Sequence, residues 1–181
     1  MKPADCLNAP GKIRRPDIAR RLAASALLIL AASPAGAQTP DVDRGRYLAS
    51  IMDCGGCHAP RDANGVPLPG AGLSGGTVGF EVPGLGAFWP PNLTPHDTGL
   101  GGWTTVDIMA AIRSGKRPDG RILAPAMPFA NYAHLTDGDA AALAAYLQSL
   151  EPVDHQVPPP AGPGVDTPAP APVFRFVAPQ D

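Results

Sequence analysis

The chain has 181 residues, room for one domain plus tails, and its 14 Lys and Arg against 16 Asp and Glu give a formal charge of −2. Six of those basic residues and two of the acids fall in residues 1–37, so the remainder carries 8 basic and 14 acidic residues, a formal −6. An acidic body excludes nucleic acid as the natural partner, because phosphate recognition needs a basic face.

Residues 1–37 read as an export signal. Lys12, Arg14, Arg15, Arg20 and Arg21 form a basic region, Leu22 to Ala32 an apolar run, and Ala35-Gly36-Ala37 a small-residue cleavage site. The apolar run is shorter than the roughly 20 residues a spanning helix needs, so no membrane span is expected after cleavage. Cys6 precedes the apolar run and cannot be a lipid-anchor cysteine behind a cleavage site. The expected product is periplasmic, with Cys54 and Cys57 as its thiols. The domain boundaries that follow are signal peptide 1–37, folded domain 38–153 and proline-rich tail 154–181.

A helix is predicted from about Asp41 to Asp53, with Tyr47, Leu48, Ile51 and Met52 on its apolar side. It leads into Cys54-Gly55-Gly56-Cys57-His58, the C-x-x-C-H pattern of covalent c-type haem attachment. Two thiols three positions apart can each form a thioether with one vinyl group of the same porphyrin. The adjacent imidazole then lies under the iron as a nitrogen ligand. Two glycines between the thiols let the backbone turn tightly. The competing readings are a thioredoxin-like redox pair and half a zinc site. Zinc needs a second ligand pair at the right spacing, which the sequence lacks, and a redox pair has no use for His58.

From Ala59 to Gly102 runs a Gly- and Pro-rich connection, too long for an ordinary loop. Phe80, Leu85, Phe88, Trp89 and Leu93 give it apolar groups to bury, so an ordered wrap around a cofactor is expected rather than a disordered insert. A second helix is predicted from about Thr105 to Ser114, capped by Thr104 or Thr105, striped by Ile108, Met109 and Ile112, and ended by Gly115. A third starts at Thr136, where Asp139 completes a capping-box-like pair. It repeats Leu143, Tyr146, Leu147 and Leu150, and Pro152 stops it. Nine of the 30 residues from Pro152 to Asp181 are proline, which predicts an extended, mobile tail, with Val173 to Val177 as an apolar patch inside it.

Six residues are candidates for a second axial ligand: Met52, Met109, Met127, His96, His134 and His155. Met52 is too near the motif to cross a porphyrin, Met109 lies on a core stripe, His134 is in a polar connection and His155 in the tail. Met127 sits in Ala124-Pro125-Ala126-Met127-Pro128-Phe129, a stiff loop that can present a thioether at little entropic cost. It is the expected ligand, with His96 second.

Several separated motifs now stand in order: Cys54 to His58, Pro91-Asn92-Leu93-Thr94-Pro95, Thr98 to Trp103, Arg117-Pro118-Asp119-Gly120-Arg121, Met127-Pro128-Phe129 and Leu135-Thr136-Asp137. Together they resemble a class I cytochrome c domain over about Asp41 to Glu151. More narrowly, the chain is similar to the haem modules of cytochrome subunits in bacterial periplasmic alcohol, aldehyde and related dehydrogenases. The alcohol dehydrogenase subunits resemble three such modules in series, whereas this sequence has one C-x-x-C-H and no internal repeat.

The resemblance implies an all-α fold: a small helical domain wrapped around one covalent haem c, with long irregular loops. It also implies that the first and last helices cross, with Gly45 closely approaching the side bearing Tyr146 and Leu147. Trp89, Asn92, Trp103, Arg121 and Tyr132 become candidate donors to the haem carboxylates, although core or surface packing is the commoner use of each. With His58 and Met127 both on the iron there is no open position for substrate. The expected function is one-electron transfer, from a dehydrogenase to a downstream cytochrome or oxidase. The alternatives are a peroxidase-like haem enzyme with an open iron site and a structural haem module. Arg113, Lys116, Arg117 and Arg121 form a basic cluster suited to steering an acidic partner, or simply a solvated helix end.

Overall fold

The computed structural model describes residues 41–165 and 173–175, so the expected export segment lies outside the described residues. Among them, helix α1 spans Val42–Ile51, α2 Cys54–His58, α3 Thr105–Ser114, α4 Phe129–Tyr132 and α5 Asp137–Gln148. Strands β1 (Gly79–Val82), β2 (Gly86–Phe88) and β3 (Val173–Arg175) form a small sheet in the order β2-β1-β3. None of these helices is long and apolar enough to cross a membrane.

Each long helix begins at a side-chain cap. Asp41 accepts from the Arg44 amide in α1, and Thr136 from the Asp139 amide in α5. At α3 the reciprocal box is complete: Thr104 accepts from the Asp107 amide while the Asp107 carboxylate accepts from the Thr104 amide. The pair expected to form such a box, Thr136 and Asp139, makes only the first half, because the Asp139 carboxylate turns to Arg44 at 2.8 Å. Gly115 ends α3 in the left-handed region, φ 69°.

The core is where α1, α3 and α5 meet: Leu48, Ala49, Ile108, Ile112, Leu143, Ala144 and Leu147, with Leu73 and Leu100 from the long connection. The apolar side expected of α1 is only partly right. Leu48 is buried, but Tyr47 and Ile51 are 53% and 60% exposed. The buried stripe is instead Gly45, Leu48 and Ala49, at i, i+3 and i+4. Gly45 explains the shift. A Cβ there would overlap the Ala142 carbonyl oxygen and lie 2.7 Å from Tyr146 Cβ, so α1 and α5 meet backbone to backbone. Ala142, whose carbonyl meets Gly45, is itself only 2% exposed.

The all-α expectation needs correction, because the 59–102 connection and the chain after α5 build a sheet. β1 and β2 pair antiparallel with Phe80 opposite Phe88, and β3 adds to β1 in parallel with Gly79 opposite Val173. The Pro83-Gly84 turn favours a hairpin, and Gly84 takes the left-handed φ of 75°.

The mobile tail is corrected as well. Residues 152–161 form no helix, as their prolines dictate, and 162–165 close a turn, but the segment is seated on the domain through non-proline amides. Val153 exchanges hydrogen bonds with Asn92 and Thr94, and Ala161 pairs with Ala87 through two backbone bonds of 2.9 Å. Phe174 packs on Phe80 with ring centroids 6.0 Å apart, whereas Phe176 and Val177 lie outside the described residues.

Replacing Gly45 with Ala tests the helix crossing. Alanine is the better helix former by about 1 kcal/mol, but the added methyl has nowhere to go. The expected outcome is a net loss of ~1–3 kcal/mol in urea unfolding; equal or greater stability would show that the crossing is looser than described.

Candidate functional site

The turn between α1 and α2 sets the position of the C-x-x-C-H motif. Asp53 is the one described non-glycine residue with positive φ, 53°, and it reverses the chain so that α2 starts at Cys54. Neither motif glycine takes a positive φ, and Gly56 packs closely against the Asp53 side chain. A Cβ on Gly56 would lie 2.6 Å from Asp53 Cγ, whereas one on Gly55 would meet only Leu73 at 3.9 Å.

His58 is 6% exposed, and its Nδ1 lies 2.8 Å from the Pro91 carbonyl oxygen. A carbonyl can only accept, so Nδ1 carries the proton and donates, leaving the lone pair on Nε2. Burial is the larger influence on the ring and lowers its pKa, while the bond to Pro91 works the other way. Both the neutral state and the tautomer are those a metal ligand requires.

Both motif cysteines are free thiols. Burial pushes Cys54 up to about 11 and is also the main cause of the rise at Cys57, with the negative charge of Asp53 second there. Thiols held protonated in this way are unlike the low-pKa thiolate of a disulfide oxidoreductase. Among the described residues no three His, Cys, Asp or Glu side chains converge as a metal-ligand group, so the zinc reading has no second half.

Arg61 was not foreseen. Its guanidinium donates to the carbonyls of Gly55 and Gly56 at 3.3 and 3.4 Å, and to Gly65 at 2.9 Å. The signal was a cation three residues past His58, where a short helix leaves its last carbonyls unpaired.

Cys54, Cys57, His58 and Met127 all line one cavity of about 980 Å³. That is near the top of the roughly 300–1,000 Å³ range of small-molecule sites. Phe80, Phe88 and Trp89 come to its wall from the hairpin, Leu100, Trp103 and Ile112 from the loop and α3, and Leu143 and Leu147 from α5. Of the candidate second ligands, Met52 and Met127 reach the cavity. The other four do not. Met109 packs against the helical core, His96 bonds Thr98 at 2.9 Å, His134 is exposed, and His155 bonds the Ser74 carbonyl at 2.8 Å. Two thiols one helical turn apart, a neutral imidazole with a fixed tautomer, a thioether and apolar walls make a donor set that fits haem c.

The candidate carboxylate donors separate clearly. Asn92 is fully buried and saturated: its Oδ1 accepts from the Thr94 amide and hydroxyl, and its Nδ2 donates to Thr98 and to the Val153 carbonyl. Trp89 Nε1 is the one buried side-chain polar atom without a partner among the described residues. It is closed in against Gly79, where a Cβ would lie 2.9 Å from it, and so does not open to the cavity. Tyr132 donates to the Met52 carbonyl at 3.1 Å.

Arg117 and Arg121 line the cavity and share Asp119, at 3.4 Å and 2.7 Å. Arg121 chiefly, with Arg117 adding charge, brings that carboxyl down to about 2. Arg117 also lies 5.1 Å over the Trp103 ring. Arg113 pairs with Asp137. The expected basic cluster is therefore only half offset: Asp119 and Asp137 stand against the four cations Arg113, Lys116, Arg117 and Arg121.

The family model described as Cytochrome c matches residues 42–151. The chain is 40% identical over 128 residues to the fructose dehydrogenase cytochrome subunit of Gluconobacter japonicus, covering 70% of this chain and 25% of that protein. It is 37% identical over 121 residues to a diheme cytochrome c-type protein of Cereibacter sphaeroides, covering 65% and 38%. It is 33% identical over 141 residues to the cytochrome c subunit of the quinone alcohol dehydrogenase of Gluconobacter oxydans, covering 74% and 27%. The chain thus spans between a quarter and two-fifths of the length of these relatives.

Asn92 follows the carbonyl that holds His58, so Asn92→Ala tests the support of the site. Leaving the Thr94 amide without its buried acceptor, and the Val153 carbonyl with only the 3.5 Å contact from Thr94 Oγ1, should cost about 2–4 kcal/mol in denaturant unfolding. A loss under about 0.5 kcal/mol, the range of ordinary surface substitutions, would contradict the network.

Proposed function

The chain belongs to the cytochrome c family, and from that premise we propose that it is an exported, mono-haem carrier of single electrons, with a dehydrogenase as donor and a cytochrome or oxidase as acceptor. Bound haem c would supply the reversible ferric–ferrous couple. One observation carries the reading: the cavity that receives both motif thiols also receives His58 and Met127.

The residues divide the work. Cys54 and Cys57 would hold the porphyrin through thioethers, so that the cofactor stays attached during repeated encounters with partners. His58 would ligate through Nε2, oriented by the Pro91 carbonyl 2.8 Å from Nδ1. Met127 would offer its thioether from a compact turn, closed by the Met127 amide on the Ala124 carbonyl at 3.0 Å and by the Phe129 amide on the Met127 carbonyl at 2.8 Å. A thioether favours reduced iron and raises the potential relative to a second imidazole. With His58 and Met127 both holding the iron, the protein would serve electron transfer and leave no place for substrate chemistry.

The helical core would keep this geometry rigid, and the aromatic wall would keep water from the ring, so that less solvent has to reorganise when the iron changes charge. The similarity to cytochrome subunits of fructose and alcohol dehydrogenases supports a dehydrogenase as electron donor. Export to the periplasm fits the basic and apolar pattern of residues 1–37 and the need for haem attachment outside the reducing cytosol.

Absorption spectroscopy tests the ligand set. The haem-loaded protein should be low-spin with the weak methionine–ferric band, Met127→Ala should lose the band and become high-spin, and Met52→Leu should keep it. A high-spin parent that reacts with peroxide, or a band that survives Met127→Ala, would overturn the assignment.

A further inference from the structure

Five consecutive residues of the chain after α5, Gln156, Val157, Pro158, Pro159 and Pro160, line the same cavity as the motif thiols. They are held at both ends. Upstream, the Val153 carbonyl accepts from Asn92 Nδ2 at 2.8 Å and the Val153 amide donates to Thr94 Oγ1 at 3.1 Å. The His155 amide donates to Thr98 Oγ1 at 3.2 Å, and its ring Nδ1 lies 2.8 Å from the Ser74 carbonyl. Downstream, Ala161 and Ala87 exchange two backbone hydrogen bonds of 2.9 Å.

Glycines mark both crossings. A Cβ on Gly75 would lie 2.6 Å from Val157 Cγ1, and one on Gly86 would lie 2.8 Å from the Gly162 carbonyl carbon. Between the pins, three prolines in a row carry no amide donor and have fixed φ, so the segment is stiff and turns ring methylenes rather than N–H groups to its surroundings.

We propose that Gln156–Pro160 is a pinned strap that closes one side of the cofactor cavity, limits the water reaching the ring, and so sets the reduction potential of the bound haem. The inference rests on the haem reading above. Its physical basis is that oxidised iron carries one more positive charge than reduced iron, and a dry apolar wall disfavours the more highly charged state. A closed strap therefore raises the potential, and an open one lowers it. The tail is part of the redox site, although it contributes no ligand.

The test uses the full-length haem-loaded protein in two forms. Ala161→Pro deletes the amide that donates to Ala87 and unpins the downstream end. A triple change, Pro158→Gly, Pro159→Gly and Pro160→Gly, keeps the pins and removes the stiffness. Amide hydrogen exchange at Ala87 reports opening, a spectroelectrochemical titration gives the midpoint, and the methionine–ferric band reports ligation.

The expected result for Ala161→Pro is exchange at Ala87 faster by about fivefold, the worth of one hydrogen bond, with the midpoint lowered and the band retained. The triple variant should also show a lowered midpoint, and it decides alone if Ala161→Pro does not accumulate. An unchanged midpoint with the band retained and exchange accelerated would overturn the proposal, as would unchanged exchange at Ala87 in Ala161→Pro. A parent protein without haem absorption would instead sink the haem reading itself, so the two failures are distinguishable.

Discussion

The hydrogen bond from His58 Nδ1 to the Pro91 carbonyl joins segments 33 residues apart and determines what the imidazole can do. Because the acceptor is a carbonyl, the proton is committed to Nδ1 and Nε2 keeps a lone pair free to ligate a metal. Much of the surrounding structure keeps that carbonyl in place. Asn92, next in the chain, is locked by four hydrogen bonds that reach Thr94, Thr98 and Val153. The motif end is held by the Asp53 reversal and by Arg61 on the carbonyls of Gly55 and Gly56.

A large apolar cavity is a poor basis for stability, and the packing around it shows where compensation lies. α1 and α5 meet at backbone contact where Gly45 faces Ala142, which gives a close-packed pair from few large side chains. Ile108, Ile112, Leu143 and Leu147 serve both purposes, closing the helical core on one side and contributing to the cavity wall on the other. The sheet and the residues after α5 complete the wall, so a segment that adds little hydrophobic core still shapes the site.

The long helices were legible in the sequence because Thr104, Thr136, Gly115 and the leucine spacing each carry a local physical cause. The C-x-x-C-H motif was legible for the same reason, since its chemistry is contained in five residues. Less could be read where the cause was distant. Tyr47 and Ile51 are apolar at helical spacing, yet Gly45 wins the buried face because only a missing side chain lets α5 approach. The sheet escaped notice because its strands are three or four residues long and one partner comes from a proline-rich stretch. Proline content rules out a helix there, but the lack of a helix does not imply mobility when Val153, His155 and Ala161 retain amides that can pair. Met127 was singled out from its stiff loop, and the structure brings it to the cavity shared with His58, as it also brings Met52.

The central claim is that this cavity is built around one porphyrin fixed by Cys54 and Cys57. Peptide mass mapping of the exported protein, after treatment with a thiol-alkylating reagent, tests it most directly. The account predicts a fragment containing Cys54 to His58 that carries one haem and no alkyl group on either sulfur. A fragment alkylated at both cysteines, with no tetrapyrrole added, would contradict it.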